Sequence, residues 1–183
     1  MIRRMAMTET PAVVFPRPVY DRLIAAAVGR HPVKSFGYLV SNGPALRPAD
    51  FVLFEENVRN DAHWQPEFWS RGRYFVDNDD AGFVATPEES WRVQKSLMAR
   101  GLFEVGVFHT HRRHPANFSS IDYEMHVSRF DNLWHLVISL RNVVLPQVRA
   151  FAVSPHSVRE MELRFESENG SVRHEDFRRA RRG

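Results

Sequence analysis

Two histidines, His109 and His111, stand one residue apart at the end of an apolar run, and Ser119 and Asp122 follow within the next eleven residues. On extended chain, residues i and i+2 project the same way, so both imidazoles can be presented to one point. Two imidazole nitrogens and a carboxylate form a ligand set for zinc, which keeps a fourth position for water in catalytic sites. Asp122 can supply that carboxylate. Ser119 has the chemistry of a helix N-cap, and Asp122, three residues later, falls in the first turn. The helix dipole favours negative charge there, which helps Asp122 stay ionised and lets Ser119 or backbone amides face a developing oxyanion. Each piece also has a plainer meaning: a His-x-His pair is often one packed and one exposed ring, and Asp122 alone is an ordinary helix-start acid.

The elements that must position these residues can be read from periodicity. Apolar residues from Pro18 to Arg30 recur at helical spacing, and His31-Pro32 ends the pattern. Ser35 to Val40 and Phe51 to Phe54 read as antiparallel strands joined through Asn42-Gly43-Pro44. Residues 57 to 82 read as a long loop or insertion with a strand near Tyr74 to Val76. Its aromatics, mixed with Arg71 and Arg73, suit either a protein-binding surface or a seal over one end of the core. Thr86-Pro87-Glu88-Glu89 opens a second helix, with Glu89 completing a capping box, Gly101 stopping it, and Trp91, Val93, Leu97 and Met98 on its buried side. Leu102 to Phe108 is apolar enough for a central strand and delivers His109. A third helix follows Ser119, then strands at Leu133 to Leu140 and Val148 to Val153, with an edge strand at Met161 to Phe165.

At 183 residues and 43% hydrophobic content, the chain predicts one α/β (α+β) domain, residues 17–166, with an N-terminal arm at 1–16 and a basic tail at 167–183. With no cysteine and nine histidines, any transition metal must be held by His, Asp or Glu. The N-terminus lacks the apolar core of a signal peptide, and no run reaches the ~20 apolar residues of a membrane span, so a soluble, cytoplasmic protein is expected. Much of the +3 net charge comes from Arg173, Arg178, Arg179, Arg181 and Arg182. Such a short end reads as solvated, and neither a nucleic-acid nor a membrane partner is expected.

The combination His-x-His, seven residues, Ser, two residues, Asp, with Pro115 and Ala116 in the spacer and an apolar strand in front, resembles the signature of the JAB/MPN domain. This is the JAMM-type zinc metallopeptidase family, here in its prokaryotic form. The order of elements from about Pro18 to Val153 is also similar to that family's layout, a mixed β-sheet flanked by helices. The resemblance implies zinc bound by His109, His111 and Asp122, with Ser119 helping to stabilise the tetrahedral intermediate. It implies cleavage after the C-terminal glycine of a ubiquitin-like or sulfur-carrier-like protein whose extended tail lies across the metal. His114 receives no role.

One position departs from the pattern. The family's general-base glutamate falls two residues after the proline that follows the first helix, and here that residue is Lys34. A protonated lysine cannot take a proton from water. If Val40 pairs near Asp50, Lys34 falls opposite about Glu56, which makes Glu55 and Glu56 candidate substitutes, while Glu104 and Glu124 are poorly placed. Two expectations follow: a zinc-dependent peptidase or isopeptidase with an altered base, or a metal-binding module that holds a ubiquitin-like tail or scaffolds a complex without turnover.

Overall fold

The computed structural model describes residues 11–130 and 132–166, together with the backbone of 172–173. Inside its sheet, next to the middle strand, lies β4 (Phe103–His111), the strand that carries both histidines. It pairs antiparallel with β2 (Phe36–Ser41) and parallel with β5 (Trp134–Ser139), whose six residues are all buried. Beyond β2 comes β3 (Asp50–Leu53); beyond β5 come β6 (Gln147–Ser154), β7 (Ser157–Glu166) and β1 (Ala12–Pro16). The two-residue β8 (Val172–Arg173) also pairs with β7. This is a mixed sheet flanked by helices, as expected. The hairpin register is the expected one too, Val40 opposite Asp50.

Several local expectations change. Residues 12–16 belong to a strand parallel to β7 and bury Val13 and Phe15, so Met161 to Phe165 is not an edge. Five residues are too few for alternation to stand out from a loop. The insertion contains a 3-10 turn at Val58–Asn60 and two short helices, α2 (Gln65–Ser70) and α3 (Arg73–Asp77), the latter where a strand was expected. The cause is Arg59, only 2% exposed, whose guanidinium gathers the carbonyls of Phe75, Asn78 and Ala81 and lies 4.8 Å over the Phe68 ring. A buried cation needs several acceptors in one place, and turning backbone supplies them. The N-terminal arm before residue 11 and the tail side chains from 167 onward lie outside the described residues.

Helix α1 (Arg17–Arg30) buries Val19, Leu23 and Ala27. Helix α4 (Pro87–Arg100) starts at Thr86, whose Oγ1 accepts the Glu89 amide at 3.1 Å, and stops at Gly101, with φ 63°. Its buried stripe is Glu89, Val93 and Leu97 at i, i+4, i+8, which leaves Trp91 and Met98, expected inside, 65% and 79% exposed. The Glu89 side chain does not close a capping box. Instead its carboxylate accepts the amides of Glu55 at 2.8 Å and Glu56 at 3.3 Å, fixing the chain as it leaves β3.

The floor beneath the histidines depends on close backbone approach. A Cβ on Gly37 would lie 1.9 Å from the Val52 carbonyl oxygen and 2.9 Å from the Phe108 ring. The carbonyl belongs to the neighbouring strand and the ring is fully buried, so neither has room to yield, and Gly37→Ala is expected to destabilise the fold by about 3 kcal/mol, at the upper end for overpacking. Urea unfolding checks this; an unchanged midpoint would contradict it.

Candidate metal centre

Strand β4 ends with His109 fully buried and His111 near the surface, both rings turned to the same side. Helix α5 (Ser120–Arg129) begins beside them with a capping box. The Ser119 hydroxyl accepts the Asp122 amide at 3.1 Å, and Asp122 Oδ2 accepts the Ser119 amide at 2.9 Å and its hydroxyl at 2.7 Å. The same carboxylate faces the histidines, with Oδ1 3.1 Å from His109 Nε2 and Oδ2 3.5 Å from His111 Nε2. The two Nε2 atoms are 2.8 Å apart. One ligand atom from each of the three residues lies within 4.8 Å of the others, so a single ion can touch all three.

The hydrogen bonds behind the rings fit that use. His111 Nδ1 is 2.8 Å from the Pro115 carbonyl, which can only accept, so the proton of neutral His111 sits on Nδ1 and its Nε2 lone pair faces the site. Burial lowers His109 to a pKa of about 4, more than offsetting the attraction of Asp122, so His109 is neutral at pH 7. Burial opposes charge on Asp122, yet attraction and hydrogen bonds from the two imidazoles hold its carboxyl below the ordinary range. A neutral His109, an ionised Asp122 and a His111 tautomer that turns its Nε2 lone pair to the same point are what a divalent ion requires.

These shifts also set the acid behaviour of the metal-free fold. His109, His135 and His126 all have their pKa values lowered by burial. The unfolded chain therefore binds more protons than the native state once pH drops below about 6.5, and stability falls from there toward pH 4. Each such histidine contributes up to about 1.4 kcal/mol per pH unit within its window. The depressed Asp122 acts lower, its contribution present above its ordinary range and lost as pH falls beneath it. Chemical unfolding at pH 7.5, 6 and 5 should show the histidine-linked decline; a flat profile would contradict it.

A family model described as prokaryotic homologs of the JAB domain matches residues 16–154. The chain belongs to this family. Among solved structures, the JAB domain described here is similar to protein DSY2949 from Desulfitobacterium hafniense, with 20% identity over 85% of this chain and 93% of that one and a TM-score of 0.59. A protein from Salinibacter ruber is 20% identical over 89% and 97% of the two chains, with a TM-score of 0.54. AF2198, a JAB1/MPN domain protein from Archaeoglobus fulgidus, is 14% identical over 81% and 96%, with a TM-score of 0.42. A search of curated proteins returns no match.

In this JAB domain the candidate ligands His111 and Asp122 open onto a cleft of about 240 Å³ lined also by Lys34, Tyr74, Asp80 and Ser119, among others. Lys34 therefore faces the site. Its Nζ donates to the Asp80 carbonyl at 2.8 Å, tying the tip of the insertion to the floor. Burial lowers the Lys34 pKa, against the attraction of Asp122 and Asp80. Glu55 and Glu56 do not join the cleft. Both are exposed, their amides are taken by Glu89, and the Glu55 carboxylate pairs with Arg30 at 2.8 Å. The β2–β3 ladder closes at Gly37 and Leu53, so the pairing that would bring Glu56 over Lys34 is not made. His114 sits at the rim, its Nε2 3.4 Å from the Tyr74 hydroxyl.

Sequence reasoning missed Asp80 and Tyr74, which the insertion brings to the cleft, because a segment read as irregular gave no register from which to place them. It also missed His135 and His126, which lie behind His109. A second histidine was visible at position 135, but only the folded chain shows that it meets His109, since the ladder sets it beside Val107 and its ring reaches His109 diagonally.

Proposed function

We propose that this JAB domain binds zinc through His109, His111 and Asp122 and holds the glycine-terminated tail of a ubiquitin-like or sulfur-carrier-like protein across the cleft, without rapid hydrolysis. The observation that carries this reading is Lys34, which lines the cleft where a carboxylate base would be needed and is anchored there by the Asp80 carbonyl. Bound zinc supplies a polarised water and a Lewis acid in such sites, but turnover also needs an acceptor for the water's proton and a donor for the leaving amine. A lysine is repelled by a divalent ion when charged. It is also held to the carbonyl it donates to. The Ser119 hydroxyl, which donates to Asp122 Oδ2, must turn away from that carboxylate before it can serve an oxyanion.

Calorimetry with a glycine-terminated tail peptide tests this: binding that requires zinc, with the peptide recovered intact, is the expected outcome. Rapid cleavage by the unaltered protein would overturn it in favour of a peptidase. The specific feature favouring that second reading is Asp80, a cleft carboxylate supplied by the insertion rather than by the strand. In that case Asp80→Asn should reduce the rate by about 100-fold or more, the usual cost of losing a general base.

A further inference from the structure

Behind the ligand set runs a string of three buried histidines. His109 Nδ1 is 2.7 Å from His135 Nε2, and His135 Nδ1 is 2.9 Å from His126 Nδ1. The rings are 0%, 1% and 2% exposed. Phe83 lies against His109, Phe118 against His135 and Phe130 against His126, so the string is sheathed by aromatic rings. It ends at His126 Nε2, which is buried with no hydrogen-bond partner. The Leu133 backbone carbonyl acts on that ring in favour of a proton, yet falls outside hydrogen-bond geometry with Nε2.

Three neutral imidazoles in series have two self-consistent arrangements, since each contact needs one donor and one acceptor. If His109 Nε2 carries its proton, facing Asp122 and His111, then His109 Nδ1 accepts from His135 Nε2 and His135 Nδ1 accepts from His126 Nδ1. His126 Nε2 is then a bare lone pair. If His109 Nε2 offers its lone pair to a metal, its proton leaves to the cleft, Nδ1 takes the proton of His135 Nε2 and every contact reverses: His109 donates to His135, His135 donates to His126, and His126 Nε2 carries a proton. The number of protons on the string is three in both arrangements, and no ring changes charge. One proton leaves at the cleft and one enters at His126, which lines a separate crevice with Phe130, Asn132 and Ser154.

We propose that His135 and His126 are positioning residues for the metal ligand His109, holding its Nε2 lone pair on the site through a hydrogen-bonded string whose sense reverses when the metal binds. This rests on the metal reading of His109, His111 and Asp122. Metal-bound histidines generally donate their second N–H to an oxygen acceptor that fixes the ring. Here the acceptor is another imidazole, which can itself turn from donor to acceptor. His126 Nε2 is a bare lone pair in the metal-free sense and an N–H in the metal-bound sense, the form that the nearby Leu133 carbonyl favours.

The test uses the whole chain with 15N-labelled histidine. Long-range 15N–1H spectra without metal should place the protons on His135 Nε2 and His126 Nδ1. One equivalent of zinc should move them to His135 Nδ1 and His126 Nε2. Competition with a chromogenic chelator should show His135→Leu weakening zinc binding about 10–100-fold, and His135→Gln, whose amide oxygen can take the place of Nε2, staying within about threefold of the unaltered protein. Zinc uptake with unchanged tautomers, or His135→Leu binding as tightly as the unaltered chain, overturns the inference alone. No zinc uptake by the unaltered chain overturns the metal reading and this inference together. If His135→Leu does not fold, the spectra of the unaltered protein decide.

Discussion

Asp122→Asn is expected to keep the fold and lose zinc by about 100-fold or more. Structural four-ligand zinc sites bind with an apparent ~10–16 kcal/mol, so one ligand in four accounts for roughly 3 kcal/mol, and each 1.4 kcal/mol is a tenfold change. Asparagine retains a side-chain oxygen for the Ser119 amide, which Asp122 Oδ2 accepts at 2.9 Å, so the start of α5 remains capped. It removes the charge that balances the ion. Asp122→Ala removes both, and should therefore also reduce stability by about 1 kcal/mol, as typical cap losses do. Chelator competition reads the first effect and urea unfolding the second. If Asp122→Asn binds zinc as the unaltered chain does, this carboxylate is not a ligand.

The second large effect is a gain. Lys34→Glu places a carboxylate in the cleft beside the ligand set and removes a cation from it. A positioned general base contributes about 10²–10⁴ in rate, so hydrolysis of a glycine-terminated fusion, followed by mass spectrometry, should rise at least about 100-fold in the zinc-loaded variant. Lys34→Met is the control: it removes the cation and the tie to the Asp80 carbonyl but adds no base, and it should cleave no faster than the unaltered chain. Equal rates for Lys34→Glu and Lys34→Met would show that position 34 does not limit the reaction.

The cluster of His109, His111 and Asp122 was legible because its members lie close in sequence on two elements with strong local signals. A strand end fixes His109 and His111 to one side, and an N-cap serine fixes Asp122 in the first turn. The hairpin register was legible for the same reason, and Val40 does face Asp50. What failed was extrapolating that register past the ladder: Glu89, thirty-three residues from Glu56 in the chain, captures the amides that would have continued it. The α4 face was misread because Trp91 and Met98 are apolar but fall off the stripe of Glu89, Val93 and Leu97, whose first member is charged and inside. Buried polar groups with distant partners were the common obstacle. Arg59, Glu89 and His135 each organise chain far from themselves, and their residue types suggest surface positions.

Arg59 gives the cleft a division of labour. The floor, β4 with the cap of α5, is built by strand pairing and depends on many residues at once. The wall formed by the insertion hangs largely from one guanidinium that collects the carbonyls of Phe75, Asn78 and Ala81, contacts that are blind to the side chains of those residues. Wall residues such as Tyr74 and Asp80 are thus free to change identity while the backbone path stays put. The shape of the groove and the chemistry displayed along it are therefore set by different residues, so substitutions along this wall can change what the cleft presents without rebuilding the cluster of His109, His111 and Asp122.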